Sequence, residues 1–210
     1  MTSSDNSPLS GLNKENCKII EKKDLYKGFF KMQEYSLQYQ KFDGSWSKVL
    51  KREIFERGNA AAIIPYDPIN DKVVLIEQFR VGAVNASGTP WLIEIVAGMI
   101  DKGESAQTTV IRELKEEAGL ETKKVKFINN FLSSPGGTTE EIALFVGMVN
   151  SEHAQGNFGL QDENEDIRVF SISLDEAYSW LNEGKITNAI TIIAIQYLML
   201  NRDKLKKEWL

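Results

Sequence analysis

Apolar and polar residues alternate along the first part of the chain in a way that is typical of β-strands. The alternation runs through CKIIEKKDLYKGFFKMQEYSLQYQKF and meets a turn at Asp43-Gly44, after which SWSKVLKREIFERG returns as further strands. The pattern predicts a small antiparallel meander. So few strands bury little core alone, so we expect the meander to pack on the rest of the chain or on a second copy.

Longer apolar runs begin near residue 60 and predict a larger domain around a buried sheet. AAAIIPYD and KVVLIEQFR flank a turn at 68–71 and predict a hairpin that is buried on both faces, and WLIEIVAG predicts a third buried strand. Three more strands are predicted in KKVKFINNFLSS, EIALFVGMV and IRVFSIS. Ser173 and Glu176 predict a capped helix ending at Gly184, and a longer helix follows from Thr187 to about Lys206.

This order of elements predicts an α+β fold. Strands, one helix, more strands and two helices indicate a mixed β-sheet sandwiched between helices, an α/β/α arrangement, with a small N-terminal antiparallel sheet. The predicted domain limits are a flexible N-terminus at 1–15, the meander at 16–56 and the main domain at 57–210.

One predicted helix is unusually rich in carboxylates. The stretch GMIDKGESAQTTVIRELKEEAGL has neither Pro nor Gly between Ser105 and Ala118, so we predict a helix with Ser105 as its N-cap and Gly119 just past its C-terminal end. At about 100° per residue, one face carries only apolar side chains. They are Ala106, Val110, Leu114 and Ala118.

Two glutamates lie at the margin of that apolar stripe and require a partner. Glu113 and Glu117 are one turn apart, whereas Glu116 lies on the outer flank, and burying an unpaired carboxylate is unfavourable. If Arg112 pairs with Glu116 or Glu104, the first two remain free to hold Mg²⁺ or Mn²⁺. From composition alone, a solvated salt-bridged helix is an equally good interpretation.

Composition limits the classes of function. At 210 residues and 42% hydrophobic content, the chain fits one domain of moderate size plus an appendage, and its net charge of −5 argues against a broad nucleic-acid surface. The only cysteine, Cys17, excludes an internal disulfide, and the only histidine, His153, leaves acid and base chemistry to carboxylates. The N-terminus lacks the apolar core of a signal peptide and no apolar run reaches membrane-spanning length, so we expect a cytoplasmic protein without membrane partners.

The spacing of the carboxylates identifies a family resemblance. Gly98, Glu104 and the run from Arg112 to Leu120 match every fixed position of the Nudix box, so the chain resembles the Nudix hydrolases. The resemblance implies a loop–helix–loop that binds two to three Mg²⁺ ions, or Mn²⁺, and cleaves a nucleoside diphosphate joined to another group. In that family the positions of Glu113, Glu116 and Glu117 supply or orient metal ligands, and those of Arg112 and Glu104 brace the loop–helix–loop.

Stretches outside the box resemble one branch of the family. SSPGGTTEE, which places a proline sixteen residues after Gly119, together with LYKGFF, KREIFERG, IEQFR and GLQDENEDIRVF, resembles the bacterial members that act on ADP-ribose. This likeness implies hydrolysis of ADP-ribose to AMP and ribose 5-phosphate. The alternatives are a pyrophosphatase for another nucleoside diphosphate sugar such as GDP-mannose, and a non-catalytic ADP-ribose sensor. A sensor usually loses box carboxylates or gains a DNA-binding domain, and the sequence shows neither feature.

The resemblance also implies the metal ligands and the base. The carbonyl of Ala97 with Glu113 and Glu117 would hold the metals, and Glu165 a further ion when substrate is bound. Glu163, in the acidic stretch QDENED, matches the position of the catalytic base, where a carboxylate can accept a proton from a metal-polarised water. Taken alone, QDENED is more simply a solvated acidic loop.

The substrate contacts are likewise implied by the resemblance. Phe29 and Phe30 would line the adenine site, although aromatic residues in strands are more often core. The residues that would hold the base, phosphates and ribose are Arg52, Glu53, Arg57 and Arg80. The guanidinium groups of Arg57 and Arg80 match the geometry of a diphosphate. Those that would edge the pocket near the terminal ribose are Met99, Ser134, Gly136 and Glu140. In related enzymes the N-terminal meander is exchanged across a homodimer, so we expect a homodimer here.

Overall fold

The chain forms two compact units in a computed structural model that describes residues 9–86, 88–160, 162 and 164–210. The first unit takes the described residues up to Gly58 together with Leu132–Glu140, and the second takes Asn59–Phe131 and Glu141–Leu210. The loop at 132–140 therefore groups with the N-terminal strands. None of the helices in the described ranges is both long and apolar enough to cross a membrane.

The first unit is built on a three-stranded antiparallel sheet, which confirms the predicted small N-terminal sheet. Its strands are β1 (Cys17–Lys27), β2 (Lys31–Tyr39) and β3 (Leu50–Glu56), paired in that order after a short 3₁₀ turn at Lys14–Asn16. Every residue of β1 is exposed. Residues 1–8 of the predicted flexible N-terminus lie outside the described residues.

The second unit contains a mixed sheet of eight strands. They are β4 (Ala60–Asp67), β5 (Lys72–Phe79), β6 (Trp91–Glu94), β7 (Val96–Met99), β8 (Lys124–Leu132), β9 (Glu141–Met148), β10 (Gly156–Phe158) and β11 (Ile167–Ser173). The order is β10-β11-β5-β4-β9-β8, with β6 paired to β5 and β7 paired to β4. Because β4 and β9 are parallel whereas β4 and β7 are antiparallel, the predicted mixed sheet is confirmed.

Three helices in the described ranges cover the two faces of this sheet: α1 (Ala106–Ala118), α2 (Leu174–Asn182) and α3 (Ala189–Trp209). Alternate residues of β4 enter two separate cores, Ile63 with Leu114 of α1 and Ile64 with Ile195 of α3. All eight residues of β4 are buried, as expected for a strand covered on both sides. The predicted α/β/α sandwich is therefore confirmed.

Several predicted elements differ in detail. WLIEIVAG is not one strand, because the chain changes partner at Ile95, between β6 on β5 and β7 on β4. The predicted hairpin of β4 and β5 is paired only at Tyr66–Val73 and Asp67–Lys72, next to its turn. Strand β10 has no counterpart among the predicted strands, and α3 begins at Ala189 rather than Thr187. A hydrophobic pattern indicates which residues are buried, but it does not indicate which strand is hydrogen-bonded to which.

Candidate active site

Helix α1 has the limits that its sequence predicts. The Ser105 hydroxyl oxygen accepts a hydrogen bond from the Thr108 N–H at 3.1 Å, which caps the helix, and Gly119 ends it with a left-handed φ of +62°. Val110 and Leu114 are fully buried against the sheet. Because this packing fixes the rotation of the helix, the carboxylates at the margin of the apolar stripe have defined positions.

Arg112 is the central cation of the carboxylate cluster. Its Nε and Nη2 donate to the two oxygens of Glu104 at 3.2 and 3.1 Å, and its Nη1 donates to Glu113 at 2.8 Å and to Glu116 at 2.9 Å. The prediction that Glu113 stays free of Arg112 was wrong, because the guanidinium fork reaches the neighbouring residue as well as the next turn. The hydrogen bonds with Glu104 raise the pKa of Arg112 further above its usual value, so the brace stays charged.

Glu117 is the most buried carboxylate of the cluster, with 3% of its surface exposed. Its Oε2 accepts a hydrogen bond from the Ala97 backbone N–H at 3.1 Å, which brings β7 and α1 together at this point. Burial raises the pKa of Glu117 to about 8, with further contributions from Glu113 and Glu165 and opposition from Arg80. The charged form of this side chain therefore lacks adequate compensation within the protein.

Glu113 lies against the backbone of β7. A Cβ atom added to Gly98 would come within 1.7 Å of Glu113 Oε1, so the carboxylate occupies the space that any other residue at position 98 would need. Burial raises the pKa of Glu113 even though Arg112 opposes the shift. The box glycine thus permits a close approach between strand and carboxylate.

The acidic loop contributes a third carboxylate nearby. Glu165 acts electrostatically on both Glu113 and Glu117, raising the pKa of each, and its Oε2 accepts a hydrogen bond from the Leu160 N–H at 3.2 Å. Glu163, the predicted catalytic base, lies outside the described residues, so its role stays a prediction.

The donor set fits a hard divalent cation. Two largely buried carboxylates with raised pKa values and a third nearby are oxygen ligands of the kind that Mg²⁺ and Mn²⁺ prefer. Within the described ranges, no three acidic, histidine or cysteine side chains already stand in a ready-made metal-binding group. The reason is visible in the contacts, since Glu113 is turned to Arg112 and Glu117 to the Ala97 N–H.

Arg80 follows β5 and is held by a carboxylate that sequence reasoning missed. Its Nε and Nη2 each lie 2.9 Å from Glu94 Oε2, and Glu94 is 4% exposed at the end of β6. The sequence signal for Glu94 was a lone acidic residue within the apolar run WLIEIVAG.

Met99, another predicted substrate residue, is the last residue of β7 and lies opposite Ala60 of β4.

In the first unit, three of the predicted substrate residues come together. Arg57 Nε lies 3.1 Å from Glu140, which is buried, and the Arg57 guanidinium lies 5.5 Å from the centre of the Phe30 ring. Phe30 makes edge contacts with Phe29 and Phe55, while Phe29 itself is 88% exposed. An exposed aromatic of this size is available to a ligand or partner.

The remaining predicted residues of this unit are more dispersed. Arg52 and Glu53 are exposed on β3, where the Arg52 side chain donates only to the Lys51 carbonyl among its described neighbours. The Ser134 carbonyl accepts hydrogen bonds from the N–H groups of Gly137 and Thr138 at 3.0 Å, which closes the turn containing Gly136. Among the described residues, no side-chain hydrogen bond or ion pair joins this set to Arg57, whose ionic partner is Glu140.

Glu56 is a further residue that sequence reasoning missed. Its carboxylate accepts hydrogen bonds from the hydroxyls of Tyr35 on β2 and Thr139 in the 132–140 loop. Burial opposes the charged form, but these hydrogen bonds prevail and lower the pKa of Glu56. The interaction fixes the loop to the small sheet, and no local sequence pattern indicates it because the partners are far apart in the chain.

Comparison with known proteins gives a consistent result. Over 209 residues covering all of both chains, the sequence is 49% identical to an ADP-ribose pyrophosphatase of Escherichia coli (strain K12). It is 33% identical over 184 residues to a GDP-mannose pyrophosphatase of Shigella flexneri, covering 87% of this chain and 95% of the relative. A solved structure described as an ADP compounds hydrolase shares the fold, with a TM-score of 0.67 at 22% identity over 92% of this chain and 96% of that chain.

The family is established by its sequence model as well as by these relatives. The NUDIX domain model matches residues 56–190, which include β7, α1 and the acidic loop. The box glycine, the Arg112 brace and the buried Glu117 all lie within that match. The chain belongs to the NUDIX domain family.

Proposed function

We propose that the protein hydrolyses ADP-ribose to AMP and ribose 5-phosphate in the presence of a divalent cation. The observation that supports ADP-ribose as the substrate is the 49% identity to an ADP-ribose pyrophosphatase over the full length of both chains. The carboxylate cluster of α1 supports the reaction class, because cleavage of a diphosphate requires compensation of several negative charges.

A divalent cation is part of the proposal. Glu113 and Glu117 would hold it with the carbonyl of Ala97, and Glu165 would hold a further ion with substrate present. We expect Mg²⁺, with Mn²⁺ as a substitute. When bound, the ion supplies charge neutralisation for the diphosphate and lowers the pKa of bound water. The raised pKa values of Glu113 and Glu117 support the assignment, since a nearby cation would offset the unfavourable burial of both charges.

The remaining roles belong to the residues of the chain. Arg112 keeps Glu104, Glu113 and Glu116 in fixed positions through four hydrogen bonds, and Glu116 orients the cluster from its outer side. Arg80 presents a guanidinium to the diphosphate. Glu163 accepts the proton of the attacking water as general base.

We propose that the first unit supplies the recognition of the nucleotide. Phe29 and Phe30 offer aromatic faces for adenine, and Arg57, fixed by Glu140, offers a cation for the phosphates or ribose. Arg52, Glu53, Met99, Ser134 and Gly136 complete the proposed substrate set. We also propose that residues 16–56 form a dimerisation domain exchanged within a homodimer, so that this meander contributes to the partner's site.

The substrate is tested by turnover. Purified protein with excess Mg²⁺ should release AMP from ADP-ribose much faster than it releases GMP from GDP-mannose at equal concentration. The second candidate, a GDP-mannose pyrophosphatase, is favoured by a relative that is 33% identical. A large preference for GDP-mannose would replace the proposed substrate. Tight binding of ADP-ribose without turnover would instead indicate the sensor.

The proposed base is tested by substitution in the acidic loop. Glu163→Gln should lower kcat strongly, by about 10²- to 10⁴-fold for a general base, while binding of Mn²⁺ and ADP-ribose stays near that of the wild type. Asp162→Asn is the matched control, because Asp162 is an exposed neighbour in the same loop. If Glu163→Gln kept the full rate, Glu165 would be the next carboxylate to test.

A further inference from the structure

Glu94 is a buried carboxylate that the proposed chemistry does not use. It ends β6 with 4% of its surface exposed, and a buried charge is retained only where donors compensate it. Its Oε2 accepts hydrogen bonds from Arg80 and from Gln78 Nε2 at 3.2 Å, and its Oε1 accepts one from Asn188 Nδ2 at 2.7 Å. Both oxygens are therefore occupied.

The contact with Arg80 uses one edge of the guanidinium. Nε and Nη2 both face Glu94 Oε2 at 2.9 Å. Across the described part of the chain, Nη1 makes no hydrogen bond, and 44% of the Arg80 side chain remains exposed. The opposite edge of the fork is therefore available to an anion such as a diphosphate.

Arg80 also lies within electrostatic range of the carboxylate cluster. Its charge lowers the pKa of Glu117, opposing the effect of burial. The ion pair with Glu94 fixes the guanidinium at the end of β6.

Glu94 is itself anchored at a second element. Asn188 is the N-cap of α3, and its Oδ1 accepts a hydrogen bond from the Thr191 N–H at 3.2 Å. The Thr191 hydroxyl oxygen accepts one from the Ile95 N–H at 3.1 Å, at the break between β6 and β7. The carboxylate that holds Arg80 is thus fixed from the strand and from the helix.

We propose that Glu94 is a positioning residue that aims Arg80 at the diphosphate of the substrate. The inference rests on the proposed function, since it assigns Arg80 to substrate. An arginine loses less conformational freedom on binding when one edge is already fixed, so Glu94 favours substrate binding through Arg80. It touches neither the substrate nor the reacting atoms.

The first test is Glu94→Gln, which keeps the shape of the side chain and removes its charge. We expect the KM for ADP-ribose to rise about 10- to 100-fold, the usual range for a lost hydrogen bond to a charged group, with kcat within about twofold. Glu77→Gln is the matched control, because Glu77 lies on β5, next to β6, and pairs with Arg168 of β11; the substitution should leave both constants unchanged. A normal KM with a lowered melting temperature would mean that Glu94 is only structural.

The second test is a double-mutant cycle. Arg80→Ala should raise KM, and adding Glu94→Gln to it should raise KM no further, because the second residue acts only through the first. Additive effects of the two substitutions would overturn the proposal. If wild-type protein fails to turn over ADP-ribose at all, the proposed function fails instead, so the two failures are distinguishable.

The third test uses the Arg80→Ala variant together with the double variant that also carries Glu94→Gln. Free guanidinium ion should partly restore its kcat/KM, whereas methylammonium at the same concentration should not, because only the fork can bind Glu94 while facing the diphosphate. In the double variant this rescue should be lost. Equal rescue by both ions, or by neither, would contradict a site beside Glu94 that positions a guanidinium.

Discussion

A glutamate as buried as Glu117 destabilises the folded protein unless its charge is neutralised. The Ala97 N–H is its single hydrogen-bond donor among the described residues, and burial raises its pKa to about 8. We predict that Glu117→Gln lowers kcat about a thousandfold, since the ion that we propose Glu117 helps to hold would contribute several kcal/mol to the transition state. Turnover of ADP-ribose with saturating Mg²⁺ measures this.

Thermal unfolding provides an independent measurement of the same substitution. In EDTA, Glu117→Gln should melt at the same temperature as the wild type or higher, because a buried charge has been removed. Added Mg²⁺ should raise the melting temperature of the wild type more than that of the variant. The assignment of Glu117 as a metal ligand would be refuted by an equal Mg²⁺ response of the two proteins.

Gly98 allows a second prediction at the residue scale. In Gly98→Ala the new Cβ would displace the Glu113 carboxylate, which is the far end of a flexible side chain, so the fold should tolerate the change better than the site. We expect kcat/KM to fall about 10- to 100-fold, as for a misplaced catalytic group, with little change in the free energy of unfolding. Gly82→Ala, where a Cβ meets nothing within 4 Å, is the control.

The sequence predicted some residues of the site and not others. The proximity of Glu113, Glu117 and Arg112 could be predicted because they lie on one helix, where spacing determines which side chains are neighbours. Glu94 and Glu56 were missed because their partners are brought to them by the fold, as Asn188 is brought to Glu94 from 94 residues away.

At the scale of elements, the turn between β4 and β5 depends on Asp67. This buried carboxylate accepts hydrogen bonds from the N–H groups of Ile69, Asn70 and Ser151 and from the Ser151 hydroxyl. Burial alone would raise the pKa of Asp67, but the hydrogen bonds from Asn70 and Ser151 outweigh it and lower the pKa to about 2. The charged form therefore stabilises the folded state.

Asp67→Asn tests this stabilisation. Because the folded pKa is below the unfolded value near 3.8, the contribution is present above that value and is lost as the pH falls through about 2. We predict that the variant is less stable by about 2 kcal/mol at pH 7 and that the difference narrows between pH 4 and pH 2. Urea unfolding across that range measures it, and a difference independent of pH would contradict the assignment.

Helix limits were more predictable than strand partners. Ser105, Gly119 and Ser173 mark helix ends by their own chemistry, so local sequence sufficed. The break at Ile95 depends on β4 and β5 separating beyond their turn and on Thr191 of a distant helix. Neither cause is present in the apolar run itself.

At the scale of the whole molecule, the exposed strand β1 bears on the proposed homodimer. Ile19, Ile20, Leu25 and Tyr26 are each exposed by 45% or more in the single chain. We predict that sedimentation velocity gives twice the chain mass of 23.7 kDa, and that Ile20→Lys shifts the protein towards the monomer. Lys23→Ser on the same strand should leave the dimer intact, and a wild-type monomer at micromolar concentration would exclude the exchange.

The sandwich of helices and sheet followed from the order of the elements, but the membership of the 132–140 loop did not. The loop lies between two strands of the large sheet in sequence, yet its Thr139 is hydrogen-bonded to Glu56, 83 residues earlier. Contacts between residues this far apart in the sequence form only on folding, and they produce no periodic pattern in the sequence.

The bond from Asn188 to Glu94 has a consequence for synthesis of the protein. Because Asn188 follows Glu94 by 94 residues, a ribosome has made β6 and Arg80 long before it makes Asn188 and Thr191. The hydrogen bonds that fix Glu94, and through it Arg80, are therefore complete only when α3 has been synthesised and has packed on the sheet. A nascent polypeptide that already carries the whole Nudix box should still bind nucleotide poorly until α3 is released.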